Sequence, residues 1–266
     1  MKLNFSILFV VLSLILYSCA EINTFEVVYE PKDLKLKSYH KKSENAEYNI
    51  NFTQDAFFEY DNDGILLKEI LIQKSNNLLQ TSTKIYYYDS KKRIDSVIIN
   101  TKLENYNNTT PTNLNYVDIY KYDNNDFIEK IETYVDNSKQ NLLSRSNYFY
   151  TGEYCNKIVV FYNYDEPNSH TDVTEISFDK NGNRIGLDGL LYTFDDKNNP
   201  FKNVYIPSLK RILLITSNNQ LHHKYNVYGD FEKYKYKYNI DMFPDSYSVF
   251  DSNINDTVQW AEFKYY

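Results

Sequence analysis

Tyr120-Lys121-Tyr122-Asp123-Asn124-Asn125-Asp126-Phe127-Ile128 is the stretch that decides the fold, because loose copies of it recur along the chain. Two aromatic residues separated by one position place both rings on one face of a β-strand. The Asp that follows opens a turn, since its side chain accepts hydrogen bonds from the backbone two residues on. An apolar residue five positions after the Asp then starts a second strand. Each copy therefore predicts a β-hairpin.

The other copies keep this order of residue types and vary in detail. Some carry a glycine three residues after the Asp or Asn, where a turn favours a positive φ. In the first copy the second apolar position after the turn is read at Ile70, one residue later than in the others, which predicts a bulge there. The residues that the copies assign to strand ends and turns, all in a structural role, are Tyr60, Asp61, Gly64, Tyr88, Asp89, Tyr122, Asp123, Phe194, Asp195, Tyr225, Asn226 and Gly229.

Composition points to the same fold class. The 266 residues include 28 Tyr and 16 Phe, which favour strands, but few Ala, the best helix former. We predict an all-β protein, an antiparallel meander of repeated β-hairpins that forms a long twisted or curled, open-barrel-like sheet with little helix. The aliphatic run after Pro207 is the best candidate for a short helix, at Ser208 to Thr216.

The first residues have the order of an export signal. Lys2 precedes the short apolar run 7–16, which is too short to span a bilayer comfortably and has the length of a signal-peptide core. Leu16-Tyr17-Ser18-Cys19 resembles the bacterial lipoprotein box, which implies cleavage before Cys19 and a lipid on its sulfur. A plain secretory signal or an N-terminal anchor helix remains the alternative. We therefore assign 1–18 to a lipoprotein signal peptide, 19–47 to the lipidated Cys and a tether, and 48–266 to a single β domain.

The residues after the lipoprotein box bear on location and on the second cysteine. Ala20 and Glu21 follow Cys19, and the absence of Asp there resembles lipoproteins that pass to an outer membrane. This predicts a cell-envelope protein held at the outer membrane by its lipid, facing the periplasm or the surface. Lipidation of Cys19 leaves Cys155 without a disulfide partner. We predict that Cys155 is a buried strand residue, since free cysteine packs as a small hydrophobe.

The recurring hairpin resembles the YD-repeat pattern, Tyr-x-Tyr-Asp-x-x-Gly-x-Leu, of bacterial surface and secreted proteins. The chain also looks like the Tyr- and Asn-rich hypothetical lipoproteins of the Bacteroidetes group. Lys92 and Asp126 stand where the pattern has Gly, and Thr151 stands where it has Asp. The resemblance implies that the repeated Tyr and Asp are structural, which weakens any catalytic reading of them.

No residue constellation indicates chemistry. The formal net charge of −7 argues against a nucleic-acid surface. None of the common nucleotide-binding, hydrolase or zinc motifs occurs. Asp61-Asn62-Asp63-Gly64 matches only the start of a calcium loop, and adjacent His222 and His223 would point to opposite faces of a strand. We predict no enzyme activity, no cofactor and no metal site.

Two functions remain as hypotheses. The first is a non-catalytic binding or scaffold module of the cell envelope, with the membrane as partner through the lipid on Cys19 and another envelope protein as a further partner. The alternative is a glycan-binding surface lipoprotein of a nutrient-uptake system, which predicts coplanar Tyr rings on a solvent-exposed concave face. A shell component of a toxin or adhesin is a third idea, resting on analogy alone.

Overall fold

A computed structural model describes residues 32–45, 50–105, 110–136, 138–162, 169–180, 182–187, 190–213, 215–216, 218–224 and 231–266. These residues belong to one compact unit, Lys32–Tyr266. The predicted signal peptide, Cys19, Tyr225, Asn226 and Gly229 lie outside the described residues, so their assignments remain predictions.

Sixteen antiparallel strands form a closed barrel in which each strand pairs with its neighbours in the sequence. The barrel closes because β1 pairs with β16 on one edge and with β2 on the other. The predicted all-β meander is confirmed, and every strand of the described residues has a paired neighbour on each side. The strands are β1 Leu36–Asn45, β2 Ile50–Tyr60, β3 Leu66–Lys74, β4 Leu78–Tyr88, β5 Ile94–Asn105, β6 Thr112–Tyr122, β7 Ile128–Val135, β8 Asn141–Thr151, β9 Tyr154–Tyr162, β10 His170–Phe178, β11 Arg184–Leu187, β12 Leu190–Asn198, β13 Asn218–Lys224, β14 Phe231–Tyr238, β15 Pro244–Asp251 and β16 Asp256–Tyr265.

Strand β1 falls within the segment 19–47 that the sequence analysis assigned to the tether. Leu36, its first residue, lies opposite Tyr265 of β16. Asn45, its last residue, lies opposite Ile50 of β2. The sequence around β1 is charged and does not alternate cleanly between apolar and polar residues. For that reason the sequence analysis did not predict the strand. Its position in the barrel depends on pairing with the last strand of the chain, and local pattern carries no information about that partner.

The repeated turns all lie at one end of the barrel, which we call the motif end. At Asp89, the backbone N–H donates to the Arg93 carbonyl at 2.8 Å, and carboxylate Oδ1 accepts from the backbone N–H of Lys91 and Arg93, both at 2.9 Å. Lys92 has a φ of 60°. The third residue after the Asp or Asn has a positive φ in five turns, at Gly64, Lys92, Asp126, Gly182 and Met242. Three of these turns thus adopt the left-handed conformation without a glycine.

A bulge follows the turn in each of these five hairpins, whereas the sequence analysis expected one only in the first. In the first hairpin Tyr60 pairs with Leu66, and Glu59 pairs with Lys68, so Leu67 is the extra residue. The first copy is therefore no longer than the others. The inward residue eight positions after its Asp is Glu69, which is buried, and Ile70 lies on the outward face opposite Phe57.

The second Tyr of the motif links neighbouring hairpins. The hydroxyl of Tyr88 on β4 donates to the carbonyl of Leu66, the first residue of β3, at 2.6 Å. The same contact recurs in four other places, at 2.8 to 2.9 Å: Tyr60 to Leu36, Tyr122 to Ile94, Tyr150 to Ile128 and Tyr265 to Pro244. These side chains point into the barrel, where their rings pack against the core.

Phe194 and Asp195 lie inside β12 rather than at a turn. The carboxylate of Asp195 accepts hydrogen bonds from the backbone N–H of Lys197 and of Asn219 on β13, at 2.9 and 3.0 Å. A long connection follows β12 in place of a tight turn. A turn with the backbone hydrogen bonds of the motif instead follows β14, where Asn239 comes directly after Tyr238.

The connection between β12 and β13 fills the motif end of the barrel. It includes helix α1, Pro207–Ile212, which overlaps the predicted Ser208 to Thr216 and is shorter. We call residues 199–213 and 215–216 the plug. Val204, Leu209 and Ile212 of the plug belong to one buried cluster with strand residues such as Leu36, Phe58, Leu66, Ile94 and Ile128. The ring of Phe201 meets the ring of Tyr39 edge-on at 5.6 Å.

We predict that Tyr88→Phe lowers the free energy of unfolding by about 0.5–1.5 kcal/mol, because it deletes the hydroxyl that bonds the Leu66 carbonyl. The matched control is Tyr87→Phe, since Tyr87 points outward and is 46% exposed. Urea denaturation followed by circular dichroism measures both. Equal effects of the two substitutions would show that the bond between hairpins contributes nothing.

Candidate functional site

The inner face of the barrel wall is aromatic, and the outer face mixes charged side chains with exposed apolar ones such as Phe57 and Phe149. Successive residues of a strand point to opposite faces, and the motif places its Tyr pairs inward. On β14 the rings of Tyr234, Tyr236 and Tyr238 line the interior, which we call the lumen, while the Lys residues between them are exposed. This strand therefore alternates in the way of a half-buried strand. Its tyrosines face the lumen rather than the outer surface.

A buried carboxylate connects the plug to the wall. Glu69 on β3 is 7% exposed, and its Oε2 accepts hydrogen bonds from the hydroxyls of Tyr86 on β4 and Tyr205 of the plug, at 2.9 and 3.2 Å. The ammonium of Lys84 lies 3.4 Å from the same oxygen. Burial and the nearby Glu69 charge raise the pKa of Tyr86 and Tyr205 well above the usual tyrosine range, so both remain hydrogen-bond donors.

A second inward carboxylate lies on β6. Asp118 accepts a hydrogen bond from the Thr133 hydroxyl at 2.7 Å. Burial raises the pKa of Asp118, while the Thr133 bond and the charge of Lys84 act in the opposite direction. Lys84 is thus the positive charge that acts on both acidic groups.

The most distinctive feature of the lumen is a cavity of about 240 Å³ between the plug and strands β11 to β16. Its aromatic lining comes from Phe194, Phe201, Tyr234, Tyr236, Tyr247 and Phe263. The rings of Tyr234 and Tyr236 are nearly parallel, with an angle of 15° and centroids 6.4 Å apart. Their side chains remain partly exposed although they point inward, so the space beside them admits solvent.

Two polar atoms of the cavity-lining residues are buried without a hydrogen-bond partner in the described part of the chain. They are Nε of Arg184 and Oδ1 of Asn219. The Arg184 guanidinium lies over the ring of Tyr192 at 4.5 Å, and no carboxylate of the described residues pairs with it. Leaving a buried polar group unpaired costs about 1–3 kcal/mol, so each of these groups calls for an explanation.

Tyr247 offers a further donor at the same cavity. Its hydroxyl accepts a hydrogen bond from the side-chain amide of Gln259 at 2.6 Å. Its own proton has no acceptor among the described residues. Burial raises the pKa of Tyr247, so the proton is retained at neutral pH.

The predicted site residues are not gathered at this cavity. Tyr60, Asp61, Gly64, Tyr88, Asp89, Tyr122 and Asp123 all lie at the motif end, in turns and in the strand ends before them. Phe194 lines the cavity, and Asp195 holds β12 to β13. Cys155 is buried on β9, as predicted, and burial raises the pKa of its thiol to about 11.

Sequence reasoning missed Arg184, Asn219, Glu69 and Asp118. Glu69 had a signal, since it stands eight residues after Asp61, at the inward position of the motif. Arg184 and Asn219 had none, because the cavity joins strands far apart in sequence to the plug. Among the described residues, no three His, Cys, Asp or Glu side chains are grouped so as to hold a metal ion. The described part of the chain also contains no helix with the length and apolar character needed to cross a bilayer.

Two solved structures align with most of this chain at low similarity. A porin-like protein from Bacteroides vulgatus aligns with a TM-score of 0.40 at 13% identity, covering 88% of this chain and 99% of that one. A porin-like protein from Bacteroides uniformis aligns with a TM-score of 0.37 at 10% identity, covering 87% and 96%. No family model and no curated protein matches the sequence. The likeness to YD-repeat proteins and the lipoprotein box therefore remain predictions from the residues.

We predict that Asp118→Asn raises the free energy of unfolding at pH 7. The folded state holds the Asp118 proton to a higher pH than the unfolded chain, so stability falls as pH rises from about 4 through the folded pKa. Asparagine avoids this loss, which amounts to about 1.4 kcal/mol for each pH unit between the two pKa values.

Urea denaturation of the wild type and of Asp118→Asn at pH 3.5 to 8 measures this effect. The difference in stability should grow with pH and then level off. Asp172→Asn, at an exposed position of β10, is the control. A variant less stable than the wild type at pH 7 would mean that attraction to Lys84 outweighs the burial of the charge.

Proposed function

We propose that this protein is a non-catalytic, lipid-anchored envelope protein whose barrel binds a small ligand in its lumen. The observation that carries the proposal is the aromatic cavity of about 240 Å³ beside Arg184. Ligand sites are typically concave and apolar with a few placed polar groups, and the mouths of β-barrels are a common location for them. The cavity has this composition.

Binding fits the lumen better than conduction. The plug occupies the motif end, where Val204, Leu209 and Ile212 pack into the apolar core of the wall. The hydrogen bonds from Tyr205 to Glu69 and from the Asn203 side chain to the Leu34 carbonyl, at 3.2 and 3.0 Å, hold it further. A solute entering the opposite end of the barrel meets this packed segment. The arrangement supports a site with one entrance.

The outer wall supports a barrel that stands in water rather than in a bilayer. Membrane barrels turn an apolar band outward, and an Arg or Lys on that face costs about 2–4 kcal/mol at the bilayer midplane. Here charged side chains lie outward near the middle of several strands. Glu132 and Arg145 pair across β7 and β8 at 3.0 Å, His40 and Asp55 pair across β1 and β2 at 2.7 Å, and Lys235 is exposed. We therefore assign membrane attachment to the lipid on Cys19.

The alternative, capture of an oligosaccharide on an outward row of Tyr, has less support. The Tyr-x-Tyr pairs on β4, β6, β8 and β14 point into the lumen, where their hydroxyls bond to backbone and side-chain acceptors. The parallel rings of Tyr234 and Tyr236 remain a stacking surface for a sugar ring, but one inside the barrel. A glycan ligand is thus retained as a proposal for the lumen.

We predict that a single-ring compound binds the lumen and that Gln220→Trp abolishes its binding. Gln220 lines the cavity, and an indole there would fill it. The matched control is Lys235→Trp, which places the same side chain on the outer face of neighbouring β14. Saturation-transfer NMR with glucose, glucuronate, benzyl alcohol and benzoate measures binding. Binding by Lys235→Trp and not by Gln220→Trp is the expected result; no binding of any compound by the wild type would overturn the proposal.

We predict that Cys19→Ser moves the protein from the membrane fraction to the soluble fraction of its bacterial host. The substitution removes the sulfur that would carry the lipid, and the charged outer wall gives the barrel no other hold on a bilayer. Fractionation with immunodetection, together with incorporation of labelled palmitate, measures the change. Ser18→Ala keeps a small residue before the cysteine and is the control. Retention of Cys19→Ser in the membrane fraction would exclude the lipid anchor.

A further inference from the structure

We infer that the lumen cavity selects a carboxylate carried on a single ring. The inference rests on the proposed function and names the class of ligand that the same cavity takes. Its basis is the combination of one unpaired cation, aromatic walls, a free hydroxyl proton and a small volume.

Arg184 gives the cavity its charge. Among the described residues that line it, Arg184 alone is ionised, and no acidic side chain lines the space. Two acids lie nearby without lining the cavity: Glu232 accepts a hydrogen bond from Tyr234 at 2.9 Å, and Asp195 accepts one from the side-chain amide of Asn219 at 3.3 Å. A guanidinium matches a carboxylate with two parallel hydrogen bonds, and such charge-assisted bonds are stronger than neutral ones. A carboxylate supplies the acceptor that Arg184 lacks here.

The walls and volume limit the rest of the ligand. Pockets for drug-sized compounds measure about 300–1,000 Å³, so a cavity of about 240 Å³ suits one ring and not a chain of rings. The nearly parallel Tyr234 and Tyr236 and the ring of Phe201 give flat apolar surfaces. Such surfaces pack against either a pyranose or an aromatic ring.

Two further groups favour a ring that carries hydroxyls. The hydroxyl proton of Tyr247 is available as a donor, because its oxygen accepts from Gln259 at 2.6 Å. Oδ1 of Asn219 is an acceptor without a partner, since the amide nitrogen of that side chain donates to the Asn198 carbonyl at 2.9 Å. A hydroxylated ring satisfies both. We therefore expect the sugar acid to bind more tightly than the aromatic acid.

Isothermal titration with two matched pairs tests the inference: glucuronate against glucose, and benzoate against benzyl alcohol. Each acid should bind the wild type at least about tenfold more tightly than its neutral partner, as expected for a buried charge-assisted bond. Arg184→Gln should reduce this preference to about twofold or less. The control Arg211→Gln, whose guanidinium contacts Glu153 and Phe127 on the plug's other side, should leave the preference unchanged.

Circular dichroism checks that Arg184→Gln folds, and if it does not, Tyr247→Phe provides a second variant. It keeps the ring and should weaken glucuronate and glucose, which carry ring hydroxyls, by a similar factor, leaving the preference for the acid. Equal binding of acids and neutral compounds by the wild type would overturn the carboxylate inference and leave lumen binding intact. If none of the four compounds binds the wild type, both the carboxylate inference and the proposal of lumen binding are overturned. Tighter binding of benzoate than of glucuronate would keep the carboxylate and assign an aromatic ring to the ligand.

Discussion

The hydrogen bond from an inward Tyr near the end of one strand to the first carbonyl of a neighbouring strand is the interaction on which the rest of the structure depends. It occurs in five places around the barrel at 2.6 to 2.9 Å. The acceptor is the strand residue that begins a bulge after a tight turn or, for Leu36, begins β1. The bond therefore joins one hairpin to the next where the ladder is interrupted, and it requires the Tyr pairs to point inward.

The inward direction of the tyrosines determines which residue types lie on the inner and outer faces of the barrel wall. Because strand residues alternate, the positions between the tyrosines are turned outward, and many of them are Lys, Glu or Asp. The inner face is therefore rich in aromatic rings, and the outer face carries charged side chains among exposed apolar ones such as Phe57 and Leu191. A closed sheet of sixteen strands also leaves more interior than its own side chains fill, and the plug occupies only the motif end.

The polar groups of the lumen follow from this incomplete filling. Glu69 and Asp118 accept hydrogen bonds from hydroxyl groups, and Lys84 lies 3.4 Å from Glu69 and lowers the pKa of Asp118 against the larger effect of burial. Arg184 has an aromatic neighbour, Tyr192, but no acidic one among the described residues. The Arg184 guanidinium therefore remains available to an anionic ligand of the kind we propose, whereas Glu69, Asp118 and Lys84 act on one another.

The sequence by itself determined the hairpin unit, its turn geometry and the all-β meander, because these depend on residues within a few positions of one another. It also placed Cys155 in a buried strand and a short helix after Pro207. Tertiary structure alone decided that β1 joins β16, because the two strands are far apart in sequence and no local pattern indicates their pairing. It alone assembled Arg184, Asn219 and Tyr247 around one cavity, since closure of the barrel and entry of the plug bring distant segments together.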